Sequence, residues 1–291
     1  MTDNPYRQLI DRVNKKKPKT ESARHARRAL LNKRQFSLSL TILIVTIIFL
    51  FLPLFFIGLY SFNAEQGAGF SGFSLMWYRE LLFNSEDLWD ALGNSLLVAL
   101  SSALVSTILG TMAAVGIHWY EFKGRAYIQS ISFLPMVLPE VIIGVSMVIF
   151  FAGIGVPLGL FTIFAAHTTF CLPFVFLMVT ARIDDFDFSI VEASRDLGAT
   201  ERQTMTKVIV PGIMPGILSG FMMAITMSLE DFVITFFVSG PGSTTLPLYV
   251  YSMIRFGVSP VINSLSVLLV LVTLLIAIGL RPFLKTIAAA R

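Results

Sequence analysis

The stretch MSLEDFVITFF, residues 227 to 237, places Glu230 and Asp231 side by side among residues apolar enough for lipid, and SFLPMVLPEVIIG, residues 132 to 144, sets Glu140 in a similar context. An ionised acid at the centre of a bilayer costs ~2.5 to 3.5 kcal/mol on an insertion scale, so such groups usually face a cavity or a partner. No Lys or Arg lies in the interior of the apolar runs to serve as that partner. Clustered carboxylates in a low dielectric take up protons or attract cations. A transported polycation would answer them, whereas an anion would be repelled and would call for basic groups or open helix N-termini. Plainer readings stand beside this one. Glu140 follows Pro139, and an acid in the first turn of a restarted helix is stabilised by the dipole alone. Glu230 can be protonated and hydrogen-bonded to a neighbouring helix. Asp231, about 100° around the helix from Glu230, adds charge without fully sharing its face. His167 and Cys171 sit four apart, which is metal-ligand spacing, but no third ligand is near and packing is the expected role.

The elements that carry these groups follow from composition. With 55% hydrophobic residues, 14% charged and a mean hydropathy of +0.76, the chain reads as an integral membrane protein. A spanning helix needs ~20 apolar residues, and six runs qualify: 36–60, 91–118, 127–151, 159–181, 215–238 and 262–281. The turn-like GIGVPLG at 153 to 159 separates the third from the fourth. The expected fold class is therefore all-α, a polytopic membrane protein with six transmembrane helices. Basic residues set its orientation, since cytoplasmic loops collect them. Eleven of the 22 lie in residues 1–35, and with that tail inside only Arg79 and Arg255 fall on the outer face. Both termini are thus expected in the cytoplasm. The net charge of +4 needs no nucleic-acid partner, because a basic tail beside a span meets lipid headgroups. The first apolar run exceeds the ~7 to 15 residues of a signal-peptide core and is retained as a helix. Cys171 is the only cysteine, so no intramolecular disulfide forms.

Organisation then reads as a basic cytoplasmic tail at 1–35, the first span at 36–60, an outer segment at 61–90, a core at 91–281 containing an inner loop at 182–215, and a cytoplasmic end at 282–291. That inner loop carries ordered signals. Ser189 with Glu192 and Thr200 with Gln203 fit capping boxes, and Gly198 between them suits a left-handed turn. Pro211 and Pro215 are expected to bound a second short helix before the fifth span. If the third and fifth spans are straight, Glu140 and Glu230 each lie 14 residues in, ~21 Å of a ~30 Å layer, at matching depth.

A loop of this length needs no folding merely to connect, whereas a rigid two-helix knob suits docking. EASRDLGATERQTMTKVIVP resembles the EAA loop of the inner-membrane permeases of ABC importers, through Glu192, Ala193, Ser194, Asp196, Gly198, Ile209 and Pro211, with Ser194 standing where that pattern has Ala. The resemblance implies a type I importer permease fold with cytoplasmic coupling helices and a docking partner, the dimeric ATPase subunit. In agreement, the chain has no phosphate loop of the form G-x-x-x-x-G-K-[ST], no constellation for catalysis and no implied cofactor.

Residues 228–266, with YSFN at 60–63, Trp77–Tyr78 and HTTFCLPFV at 167–175, are similar to the spermidine and putrescine permeases of that family. Those carry Asp-Asp where this chain has Glu230 and Asp231, and Asp at Glu140, so charge is kept and reach differs. The resemblance implies a heterodimer with a second permease, a periplasmic polyamine-binding protein and a pathway lined by Glu140, Glu230 and Asp231. An importer of another cation or of a small anion is the alternative within that class. A proton-coupled carrier would use the same acids but leave the folded loop without a purpose, and a membrane scaffold would leave the acids themselves without one.

Overall fold

A computed structural model describes residues 18–65, 67, 69–256 and 260–289. Thirteen α-helices account for most of these residues. The chain divides into two compact units, one of residues 1–78 and 263–291 and one of residues 79–262. In the first, α1 (Pro18–Tyr60) contains the first apolar run, and its side chains from Leu38 onward are largely exposed, as on a lipid-facing helix. Of the expected basic tail at 1–35, residues 1–17 lie outside the described residues; from Pro18 the backbone is already helical and continuous with the span. Residues 61–78 fold back tightly. Asn63 accepts from the Ser71 N–H at 2.7 Å and donates to the Glu65 and Gly69 carbonyls, while Trp77 donates to the Asn63 carbonyl. The helices α2 (Met76–Phe83) and α13 (Pro260–Ala289) carry the chain across the unit boundary.

The second unit is built on three long helices: α3 (Glu86–Trp119), α7 (Leu160–Asp184) and α10 (Val210–Glu230). Lipid gives apolar helices little reason to associate, so close approach through small residues must supply the packing. Helix α3 buries Ala91, Ser95, Ala99, Ser102, Ala103, Ser106, Gly110 and Ala114, one stripe of small side chains. Val175 of α7 is the point where all three meet. A Cβ on Gly110 would come within 2.9 Å of Val175, and one on Gly220 of α10 within 3.2 Å, so glycine at both positions admits the valine.

Among the described residues four helices are long and apolar enough to cross a membrane, Leu38–Tyr60, Glu86–Trp119, Leu160–Asp184 and Glu201–Glu230, and a bent pair makes up to five. The sixth expected run appears among the described residues as a shorter apolar helix, Pro260–Ile276. The bent pair corrects the straight third span. Helices α4 (Arg125–Ser132) and α5 (Leu134–Val137) form one arm, α6 (Glu140–Gly153) forms the other, and the two meet at 108°. Pro139 causes the bend: it has no N–H to give and forces Leu138 into an extended conformation, ψ 137°. Counting helical rise from Ala126 therefore does not give the depth of Glu140, and the matched-depth expectation has no basis in a straight helix. After α6 the chain turns through Gly155, at φ +72°, and restarts as α7, as GIGVPLG predicts.

The fifth span is likewise not one helix from 215 to 238. It begins earlier, through α9 (Glu201–Thr204) and a π-turn stretch at Met205–Ile209, and ends at Glu230. Pro211 occupies the first turn of α10, and Pro215 lies within that helix, so neither bounds a separate element. Asp231 is extended, ψ 122°, and a new short helix, α11 (Val233–Val238), follows. Helix α12 (Leu246–Phe256) then leads to α13.

Candidate functional site

The two breaks bring the three expected acids together. Helix α6, which starts at Glu140, packs on α11, which starts just after Asp231; Gly144 of α6 lies so close to the Phe237 ring that a Cβ there would sit 2.7 Å from it. Glu140 thus opens the helix that packs against the element following Glu230 and Asp231. Glu140 and Glu230 are exposed at the surface of this chain, whereas Asp231 is only 6% exposed. Neighbours in sequence thus have opposite surroundings.

Asp231 is fully engaged. Its carboxylate accepts from the N–H groups of Ile234 at 3.3 Å and Thr235 at 2.9 Å and from the Thr235 hydroxyl at 2.9 Å, satisfying the free donors at the start of α11. His167 Nε2 meets the same carboxylate at 3.1 Å. The imidazole is 1% exposed, and its Nδ1 lies 2.7 Å from the Ser228 hydroxyl, which in turn receives a hydrogen bond from Ser102 at 3.2 Å. One consistent set of directions runs from Ser102 to Ser228, from Ser228 to Nδ1, and from Nε2–H to Asp231. His167 is packed in the interior, as expected, and it packs through this hydrogen-bond network. Cys171 does pack, with its thiol directed at the Ala224 carbonyl, 3.6 Å away. Among the described residues no group of His, Cys, Asp and Glu could hold a metal ion.

A second site lies in the loop after α7. Helix α8 (Ser189–Asp196), Gly198 at φ +82° and α9 make the expected two-helix knob. The Thr200–Gln203 capping box forms, with the Thr200 hydroxyl accepting from Gln203 N–H and the Gln203 side chain accepting from Thr200 N–H. The Ser189–Glu192 box does not form. Asp187, two residues upstream, accepts from the Ser189 N–H at 3.0 Å instead, and hydrogen bonds from Ser189 hold its carboxyl below the usual carboxylate range. The Ser194 hydroxyl joins the Thr204 hydroxyl at 3.0 Å and ties the two short helices together, while Val191, Thr204 and Ile209 pack inside. Glu192, Ala193, Asp196 and Gly198 are exposed, and Leu197 at the tip is 89% exposed. Pro211 is exposed at the start of α10.

Contacts that the sequence did not single out fix the root of this knob. The Phe188 ring lies 5.6 Å from Trp119 at the end of α3 and 5.9 Å from Phe186, whose ring seats against Gly212. His118 of α3 meets Asp184 at 3.4 Å, and Arg182 donates to the Gly212 carbonyl at 3.2 Å. The root of the knob is thus in direct contact with both α3 and α10.

Comparison with known proteins agrees with this architecture. Residues 106–285 match the family described as the binding-protein-dependent transport system inner membrane component. The chain is 36% identical over 232 residues to the spermidine/putrescine transport system permease protein PotC of Escherichia coli K12, covering 79% of this chain and 88% of that protein. It is 39% identical over 260 residues to the putrescine transport system permease protein PotI of the same organism, covering 87% and 90%. In fold it is similar to a chain of a bacterial ABC transporter involved in import of the acidic polysaccharide alginate, with a TM-score of 0.67, 16% identity, and coverage of 88% of this chain and 97% of that one. The long apolar helices among the described residues, the folded loop after α7 and these matches together place the chain in the family of inner membrane components of binding-protein-dependent transport systems.

Proposed function

We propose that this chain is a permease subunit forming half of the translocation pathway of an ATP-driven importer of polyamines, with Glu140 and Glu230 as its cation-attracting groups. The observation that carries the reading is the placement of three acids at two helix breaks in an apolar chain, where α6, beginning at Glu140, packs on α11, which follows Glu230 and Asp231, with Glu140 and Glu230 both exposed. An ammonium ~4 Å from a carboxylate gains ~4 kcal/mol at an effective dielectric of ~20. That gain matches the ~2.5 to 3.5 kcal/mol cost of holding the acid in the membrane. Relatives named for spermidine and putrescine transport agree with a linear polycation. Asp231 enters as the group that ends α10 and begins α11, not as a direct ligand.

Energy reaches the pathway from outside the chain. The knob formed by α8 and α9 docks an ATPase dimer through Glu192, Ala193, Asp196 and Leu197, with Ser194, Gly198, Ile209 and Pro211 shaping it. A second permease completes the route, a periplasmic binding protein delivers the substrate, and both termini lie in the cytoplasm. The subunit moves its substrate and does not transform it. The test is Glu230→Gln in the assembled complex with purified binding protein. Uptake of spermidine and putrescine should fall at least about tenfold, since every ~1.4 kcal/mol of the ~4 kcal/mol pair that is not recovered from water is a factor of ten, while the amount of complex is unchanged. Wild-type uptake of both would end the reading.

A further inference from the structure

Glu230 is the last residue of α10, and a single imidazole holds both of its flanks. His167 of α7 reaches Ser228, two residues before Glu230, through Nδ1 at 2.7 Å, and Asp231, the residue after it, through Nε2 at 3.1 Å. The same Nε2 lies 2.9 Å from the Thr235 hydroxyl in α11. The break between α10 and α11 has no proline or glycine to enforce it, since residues 228–235 read SLEDFVIT. What holds it is this network. Asp231 gives its carboxylate to the start of α11, Ser228 is anchored to α3 through Ser102, and His167 ties these two points to α7. Were the clasp lost, the backbone between Ser228 and Thr235 could continue as helix, and a helical Asp231 would turn residues beyond it by ~100° per step.

We propose that His167 is a positioning residue for transport: by clasping Ser228 and Asp231 it fixes the backbone on both sides of Glu230 and so aims the Glu230 carboxylate at the cation. This rests on the assignment of Glu230 above, and the following test separates the two. His167→Leu removes the contacts to Ser228, Asp231 and Thr235 at similar bulk; His167→Gln retains a donor for Asp231. Because Cys171 is the only native cysteine of the chain and is fully buried, Glu230→Cys supplies its one accessible thiol. Thr226→Cys, one turn earlier on the exposed side of α10, is the control.

In the assembled complex, His167→Leu should change the rate at which a cationic methanethiosulfonate labels the Glu230→Cys thiol about tenfold, leave labelling of the Thr226→Cys thiol within about twofold, and be restored largely by His167→Gln, as expected when one ordered network is lost. In transport normalised to the amount of complex, His167→Leu should raise the KM for spermidine and should add less than about twofold to a Glu230→Gln background, since residues acting through one another are not additive. Equal changes at both introduced thiols, no change at either, or a full-sized added loss in the Glu230→Gln background would overturn the proposal. Wild-type uptake by Glu230→Gln would instead remove the role of Glu230 as ligand, and the thiol labelling would still report whether His167 positions that residue.

Discussion

Glu230 and Asp231 carry the same charge on adjacent residues, yet their substitutions should fail in different ways. Asp231 holds the Ile234 and Thr235 N–H groups and the His167 imidazole, all of them buried, and each buried donor left without a partner costs about 1–3 kcal/mol. Asp231→Ala should therefore lower the thermal midpoint of the detergent-purified complex and reduce its yield, because the start of α11 loses its acceptor. Glu230 is exposed, has no such duties, and as Gln should leave the midpoint within about a degree, surface changes being worth about ±0.5 kcal/mol or less. Differential scanning measurements on the two variants decide this, and a large drop for Glu230→Gln would mean that it, too, is a structural group. Glycine at Gly144 carries a related constraint. A Cβ there meets the Phe237 ring at 2.7 Å, so Gly144→Val should push α6 from α11 and separate Glu140 from Glu230; uptake should fall with it, read by the same transport assay.

At the level of elements, the breaks and turns are the functional parts, and how far they were legible depended on the range of the forces behind them. The bend before Glu140 could be read locally, because Pro139 lacks an N–H and restricts Leu138 whatever surrounds them. Its size could not, and the assumption of a straight helix failed for that reason. The break at Asp231 was illegible, since the residues that hold it, His167 and Ser102, lie 64 and 129 positions away and join only through packing of α3 and α7 on α10. Lys and Arg are the partners that an acid in an apolar run suggests, and His167, expected only to pack, took that place instead. In the knob, Thr200 and Gln203 announced their capping box correctly, while Asp187 displaced the one expected at Ser189 by offering a carboxylate two residues earlier. Gly198 was readable because its left-handed conformation, φ +82°, is costly for any side chain, at roughly 1–2 kcal/mol. Gly198→Val should consequently tilt α8 against α9. The expected outcome is an intact permease with weaker association of its ATPase subunit, measured by co-purification, and more ATP hydrolysed per molecule imported.

For the molecule as a whole, the remaining question is where the energy for moving a cation comes from, and two sources make opposite predictions. A proton-coupled carrier would load and unload protons on Glu140 and Glu230 and would need nothing from the loop after α7. In this chain that loop is elaborately built: two short helices are stapled by Ser194 and Thr204, rooted by Phe188 between Trp119 and Phe186, and tipped by a leucine left almost entirely exposed. An exposed leucine on a folded tip adds stability only when a partner covers it, since burying a side chain of that size is worth ~1.5–3 kcal/mol. Leu197→Asp should accordingly abolish ATPase association and ATP-driven uptake while leaving the permease folded. In vesicles holding the complete complex, uptake should persist when an uncoupler collapses the proton gradient and cease when ATP is omitted from the ATPase side. Uptake that followed the proton gradient, or that survived Leu197→Asp undiminished, would transfer the driving force to the acids themselves and leave the knob without its assigned work.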